Sequence, residues 1–155
     1  MFNMNVVTFE DDITVVTINN VSADTAYLAE IFGEIANAGV SVDMISQTAP
    51  TGGNISLSFT MPDADFQKAL RVIGLAQSRK PGCTCEVSSG NCKVTFIDSS
   101  MPGSCGIASA IFGIFNRAGV QIKLVTTSAD TVSVLYERYS TTELQAEIDR
   151  SVVIA

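Results

Sequence analysis

Ile31-Phe32-Gly33-Glu34-Ile35-Ala36-Asn37-Ala38-Gly39-Val40 returns as Ile111-Phe112-Gly113-Ile114-Phe115-Asn116-Arg117-Ala118-Gly119-Val120, with Ile-Phe-Gly and Ala-Gly-Val held at a constant offset of 80 residues. The same offset carries Val42, Met44 and Ile45 onto Ile122, Leu124 and Val125, and Asn20-Val21 onto Ser100-Met101. A fixed period of this length marks two copies of one supersecondary unit.

Within the first copy, the β-branched run Ile13 to Ile18 predicts a strand that leaves into a loop at Asn19-Asn20. Leu28, Ile31, Phe32 and Ile35 then recur at helical spacing, with Asp24 or Thr25 available as the cap and Gly39 for the left-handed position after the end. Ser41 to Thr48 and the alternating Ile55, Leu57 and Phe59 predict two antiparallel strands joined through Pro50-Thr51-Gly52-Gly53. Asp63 is the expected cap of a second helix that buries Phe66, Ala69, Leu70 and Ile73, and Cys83 to Ser88 supplies a closing strand. The order strand, helix, strand, strand, helix, strand is the ferredoxin-like βαββαβ plan, an α+β unit with both helices on one face of an antiparallel sheet.

The second copy follows through Lys93 to Ile97, Gly106 to Ala118, Ile122 to Ser128 and Val132 to Tyr136. It ends in a helix whose Ser140 and Glu143 have capping-box spacing. Ser151 to Ala155 is too short for a turn and a full strand, whereas Asn5 to Phe9 has strand character and fills the vacancy. The expected organisation is therefore two tandem units, the first inserted into the second: residues 12–90 in one, residues 1–11 plus 91–155 in the other. Units of this size have small cores, so pairing between units or chains, most simply in a homodimer, is expected.

Composition narrows the function. Of 155 residues, 46% are hydrophobic and 16% charged, a globular balance. The net charge of −7 and pI near 4.4 oppose nucleic acid and anionic lipid. No apolar stretch has the length of a membrane span and Met1 to Asp12 does not read as a leader, so a cytoplasmic location is expected. With no histidine, triads, histidine-zinc sites and imidazole switches are excluded. Cys83, Cys85, Cys92 and Cys105 read as reduced thiols, and the spacing of the first three lacks a fourth ligand for a metal; neither metal nor cofactor is expected.

Asn19-Asn20-Val21, the helix Tyr27-Leu28-Ala29-Glu30-Ile31-Phe32 and Val40-Ser41-Val42-Asp43-Met44-Ile45-Ser46-Gln47 together resemble the first ACT domain of aspartate kinases. Lys93-Val94-Thr95, Ser100-Met101, Gly106-Ile107-Ala108, Val125-Thr126-Thr127-Ser128 and Val132-Ser133-Val134-Leu135 resemble the second. The resemblance implies a regulatory module that binds a small amino acid, lysine or threonine, and controls a kinase allosterically. An aspartate kinase catalytic chain is the implied partner, and Met1 opening directly onto the first strand fits a separate regulatory subunit. The family's Lys-Phe-Gly-Gly-Thr-Ser-like catalytic signature is absent here, so no enzyme activity is expected of these residues. The family's Asp-x-Pro-Gly at the loop-to-helix junction is replaced by Ala23-Asp24-Thr25-Ala26 and by Gly103-Ser104-Cys105-Gly106.

A free amino acid needs donors for its carboxylate and acceptors for its ammonium. The N–H groups of Thr25, Ala26 and Tyr27 at a helix start can hold the first without a charged side chain. Asp43, with Gln47 and Thr48 nearby in sequence, can serve the second, although a carboxylate there can equally face solvent. By resemblance the effector contacts fall at Val21, Asp24, Tyr27, Leu28, Val42, Asp43, Gln47 and Thr48. Asp24 is also an ordinary cap, and Tyr27 and Leu28 ordinary packing residues. Met101, Cys105, Gly106 and Ile107 form a second candidate site, where Lys123 replaces Asp43 and would repel an ammonium. Ligand is therefore expected in the first copy, with the second supporting dimerisation. Two other readings stand beside this one: a ligand-free structural module, and an enzyme using Cys105 as nucleophile, which lacks a histidine base.

Overall fold

The computed structural model describes all 155 residues. In chain order they form β1 (Phe2–Met4), β2 (Val6–Ser22), α1 (Thr25–Asn37), β3 (Ile45–Gln47), β4 (Asn54–Pro62), α2 (Phe66–Arg79) and β5 (Thr84–Ile97). There follow α3 (Ile107–Ala118), β6 (Ile122–Thr127), β7 (Thr131–Glu137), α4 (Thr141–Ser151) and β8 (Val152–Ile154). The chain divides into two compact units, residues 12–89 and residues 1–11 with 90–155. β2 and β5 are long enough to supply one strand to each. The fold is the α+β plan read from the repeat.

In the unit 12–89 the strand order is β3-β4-β2-β5. β4 pairs antiparallel with β2, placing Val16 opposite Phe59 and Ile18 opposite Leu57. Period-two alternation sends Val16, Ile18, Leu57, Phe59 and Met61 to one face, where they meet Ile31 and Ile35 of α1 and Ala69, Val72 and Ile73 of α2. Phe32 lies edge-on to Phe59 with ring centroids 5.8 Å apart. Gly39, at φ +74, takes the left-handed position that ends α1, as its place after the apolar stripe predicts.

Four local expectations change, the first being that Leu70, expected on the buried face of α2, is 45% exposed, with Val72 and Ala76 buried beside Ala69 and Ile73 instead. Asn19-Asn20 does not end the strand: Asn20 adopts φ +59, the pairing shifts between Ile18 and Val21, and β2 resumes to Ser22. Asparagine tolerates this conformation, and its side-chain amide donates to the Gly82 carbonyl at 3.2 Å. Asp63 does not cap α2. It opens a short 3-10 turn, and its carboxylate accepts a 2.6 Å hydrogen bond from the Thr14 hydroxyl. The strand expected over Ser41 to Thr48 is regular only from Ile45 to Gln47, because the Met44 N–H donates to the Thr60 hydroxyl and breaks the ladder there.

In the other unit the strand order is β2-β5-β7-β6, so the N-terminal stretch fills the vacant strand position. Its core joins Val94, Phe96, Val134 and Tyr136 of the sheet to Ile111, Ile114 and Phe115 of α3 and Leu144 and Ile148 of α4. The C-terminal residues do more than expected: α4 runs into β8, which pairs in parallel with β1, Phe2 opposite Val152. The Ser140 and Glu143 capping box does not form. Ser140 sits at φ −92 and ψ 4, outside the extended conformation a capping side chain requires, because a 3-10 turn leads straight into α4.

Glu147 links α4 to α3 by accepting from Arg117 at 2.5 Å and from the Ser151 hydroxyl at 3.0 Å. The Arg117 guanidinium, then Ser151, hold its carboxyl below the ordinary 4.5. A depressed folded-state value stabilises above the unfolded value and is lost as pH falls through the folded one. The urea midpoint of Glu147→Gln should therefore lie below that of the parent at pH 7. The gap should close as pH drops below 4.5, as measured by urea melts along a pH series.

Candidate functional site

The start of α1 is built by its own loop. The Asp24 N–H donates to the Ser22 hydroxyl at 3.2 Å, and the Asp24 carboxylate accepts from the Ala26 N–H at 3.0 Å. The Leu28 N–H donates to the Asp24 carbonyl at 3.1 Å and closes the first turn. The Ala23 N–H donates to the Gly53 carbonyl at 2.9 Å, tying this loop to the turn before β4. Gly53, part of the turn that joins the two strands, thereby also anchors the α1 loop.

With Ala26 taken by the cap, the N–H groups of Thr25 and Tyr27 remain without an acceptor in the unit. They point out of a helix start whose first turn holds no acidic residue. The positive end of the helix thus stands beside a single carboxylate, that of Asp24. An anion can take the two amides while a cation takes Asp24, so the arrangement accepts both ends of a zwitterion.

The other candidate residues divide. Val21 is fully buried in the core. Tyr27 is half-buried and its hydroxyl donates to the Ala76 carbonyl at 3.2 Å, joining α1 to α2, and burial pushes its pKa upward. Leu28 and Val42 pack half-buried against the same core. Gln47 and Thr48 are exposed at the end of β3. The Thr48 hydroxyl accepts from the Ser56 N–H at 2.9 Å, and Ser56 adjoins Ile55, the partner of Val21. Thr48 therefore stands at the same end of the sheet as the α1 start, two strand spacings away, about 10 Å.

Asp43 does not. Its N–H donates to the Thr60 carbonyl, and Thr60 pairs with Val15, whereas Asp24 lies beyond Ser22, the partner of Asn54. The stretch from Asn54 to Thr60 separates the two levels, about 20 Å at the rise of an extended chain. Within the unit, the exposed Asp43 carboxylate and the helix start lie at opposite ends of the sheet.

In the second copy, Gly106 precedes α3 as its cap position at φ +92, with no side-chain cap. Met101 and Ile107 pack against the core, and Cys105 is exposed, without a hydrogen bond or ion pair. Lys123 donates to the Asn91 side chain at 2.8 Å and pairs with Glu137 at 3.1 Å. This helix start has no carboxylate in the place of Asp24. Cys85 and Cys92 are poor nucleophiles. Burial, then the neighbouring Cys83, pushes the Cys85 thiol up to about 11. Burial, then a hydrogen bond to Asp11, does the same for Cys92. Both stay protonated at neutral pH.

Comparison with known proteins adds a family match, a curated relative and two solved structures. Residues 14–76 match the ACT domain family. Over 134 residues the chain is 31% identical to an aspartokinase of Geobacillus stearothermophilus, covering 86% of this chain and 32% of that protein. The chain thus spans about a third of the length of the curated relatives it matches. A solved structure of aspartokinase alpha and beta subunits is 25% identical, with a TM-score of 0.78 over 94% of this chain and 99% of that one. The regulatory subunit of aspartate kinase from Thermus flavus shares the fold at a TM-score of 0.85, with 18% identity over 96% of this chain and 97% of that one.

Proposed function

We propose that this chain, an ACT-domain protein similar over most of its length to about a third of an aspartokinase, is a regulatory module that binds lysine or threonine and catalyses no reaction itself. The observation that carries the reading is the α1 start, where two unpaired N–H groups adjoin the Asp24 carboxylate. The ligand carboxylate takes the Thr25 and Tyr27 amides, its ammonium takes Asp24, and Gln47 and Thr48 supply polar contacts from the same end of the sheet. The proposed partners are a second copy of the chain, expected from the small cores of its units, and an aspartate kinase catalytic chain, by likeness to the aspartokinase alpha and beta subunits. The cytoplasm is the proposed compartment.

A second copy gives Asp43 its place. β3 is a short edge strand with Ile45 exposed. Antiparallel pairing of two such edges about a two-fold axis centred near Ile45 brings Asp43 of one copy opposite Gln47 of the other. The carboxylate then reaches the partner's ligand end instead of its own. Allosteric control would follow from a ligand that prefers one arrangement of the pair.

A thermal-shift screen against the twenty amino acids tests the proposal. At a hundred times its dissociation constant, lysine or threonine should stabilise the fold by about 2.7 kcal/mol, a shift of several degrees. If no amino acid moves the melting temperature, the ligand-free dimerisation reading takes over. The half-buried Tyr27 and Leu28 and the satisfied Asp24 cap are what would then remain of the site.

A further inference from the structure

The two units differ where their helices cross. α2 and α4 each follow a 3-10 turn and can be laid on one another from Phe66 and Thr141, while α1 and α3 keep the offset of the repeat. In the α3/α4 unit the crossing holds the fully buried Ile114, and the groove beside it is lined by charges already paired with one another, Arg117 and Arg150 with Glu147. In the α1/α2 unit the position of Ile114 is Glu34, that of Arg117 is Asn37 and that of Glu147 is Val72. An exposed carboxylate thus stands where the other unit buries an isoleucine, and the internal ion pair is gone.

The corresponding groove here is about 440 Å³, against about 360 Å³ beside α4, and it is lined by Glu34, Asn37, Ala38, Arg71, Val72 and Leu75. Gly74 also lines it, and a Cβ added there would meet nothing within 4 Å. Neither Glu34 nor Arg71 is held in an ion pair. The volume is in the range of small-molecule sites, and the lining has an apolar floor with one cation and one anion on its walls.

We propose that this groove is a second ligand site, separate from the α1 start, for a free α-amino acid with an apolar side chain. Its carboxylate pairs with Arg71, its ammonium with Glu34, and its side chain lies over Val72, Leu75 and Ala38. One charge of each sign matches a zwitterion and disfavours an anion or a cation alone, since either would leave one wall unpaired. Both walls are solvent-exposed, so affinity is modest.

The test is a two-dimensional NMR titration of the whole chain with L-leucine, following the backbone amides of Asn37 and Gly74. Saturable shifts of both are expected. Glu34→Gln and Arg71→Gln should each raise the dissociation constant by up to about fivefold. Gly74→Leu, which fills the groove and leaves both charges, should abolish the shifts. Leucine amide and 4-methylpentanoate, each lacking one charge, should bind more weakly than leucine. All three substituted positions are exposed, so the variants should fold. The proposal is overturned if the shifts do not saturate, or if neither charge change weakens them. It is equally overturned if they appear on raising protein concentration alone, which would give the groove to a second copy, or if they are confined to Thr25 to Tyr27.

Discussion

A Thr25→Pro chain should bind lysine or threonine about ten- to a hundredfold more weakly than its parent, yet unfold at the same urea concentration or slightly higher. Thr25 is the first residue of α1, and its N–H has no helical acceptor. Proline is at home in that position, since its fixed φ suits the helix and the missing N–H breaks no helical bond. The preceding residue accepts it too: Asp24 is extended, at φ −61 and ψ 123, as a residue before proline must be. Loss of freedom in the unfolded chain adds a small stabilisation. On the proposed reading, what disappears is one donor to the ligand carboxylate, a charge-assisted hydrogen bond worth about 1.5–3 kcal/mol. Thr25→Ala keeps the donor and should bind like the parent. Calorimetric titration of the three chains, with urea melts beside it, decides the matter. Equal affinity for all three would show that the helix start does not hold the carboxylate.

Phe59→Ala should cost about 3–5 kcal/mol, the largest stability loss expected of a single change in the unit 12–89. Phe59 is 1% exposed, faces Val16 across the ladder and carries the edge contact with Phe32. Removing it leaves a cavity beneath α1 that close-packed neighbours cannot fill. Ser58, one residue away on the same strand, points to the other face, where its hydroxyl shares a 2.9 Å hydrogen bond with Thr17. Ser58→Ala should cost only about 1 kcal/mol. Urea denaturation measures both. A loss below about 1.5 kcal/mol for Phe59→Ala would mean that α1, and the helix start it carries, rests on something other than this core.

The helices and most strands were legible because their signals are local. The stripe of Ile31 and Ile35 and the alternation of Ile55, Leu57 and Phe59 each require one face to be buried, whatever lies opposite. The misread positions share a cause. Asp63, Ser140 and Asn20 are residues whose side chains have several local uses, and the choice among them was made by distant partners or by the turn before them. Thr14 claimed Asp63 from the neighbouring strand, and Gly82 rewarded Asn20 for staying in the strand. The groove between α1 and α2 left no sequence signal by itself. Its mark is a difference between the units, an exposed Glu34 where the other buries Ile114.

The repeat and its changing period were enough to specify two βαββαβ units and to send the N-terminal stretch into the second sheet, since an unfilled strand position leaves backbone groups and apolar surface unpaired. The make-up of the site was decided elsewhere. Asp24 and Asp43 look like natural collaborators along the chain, but hairpin register assigns every residue of β3 a level on β4, and that level puts Asp43 about 20 Å from the helix start. Register is a property of paired strands, which no stretch of the chain contains alone.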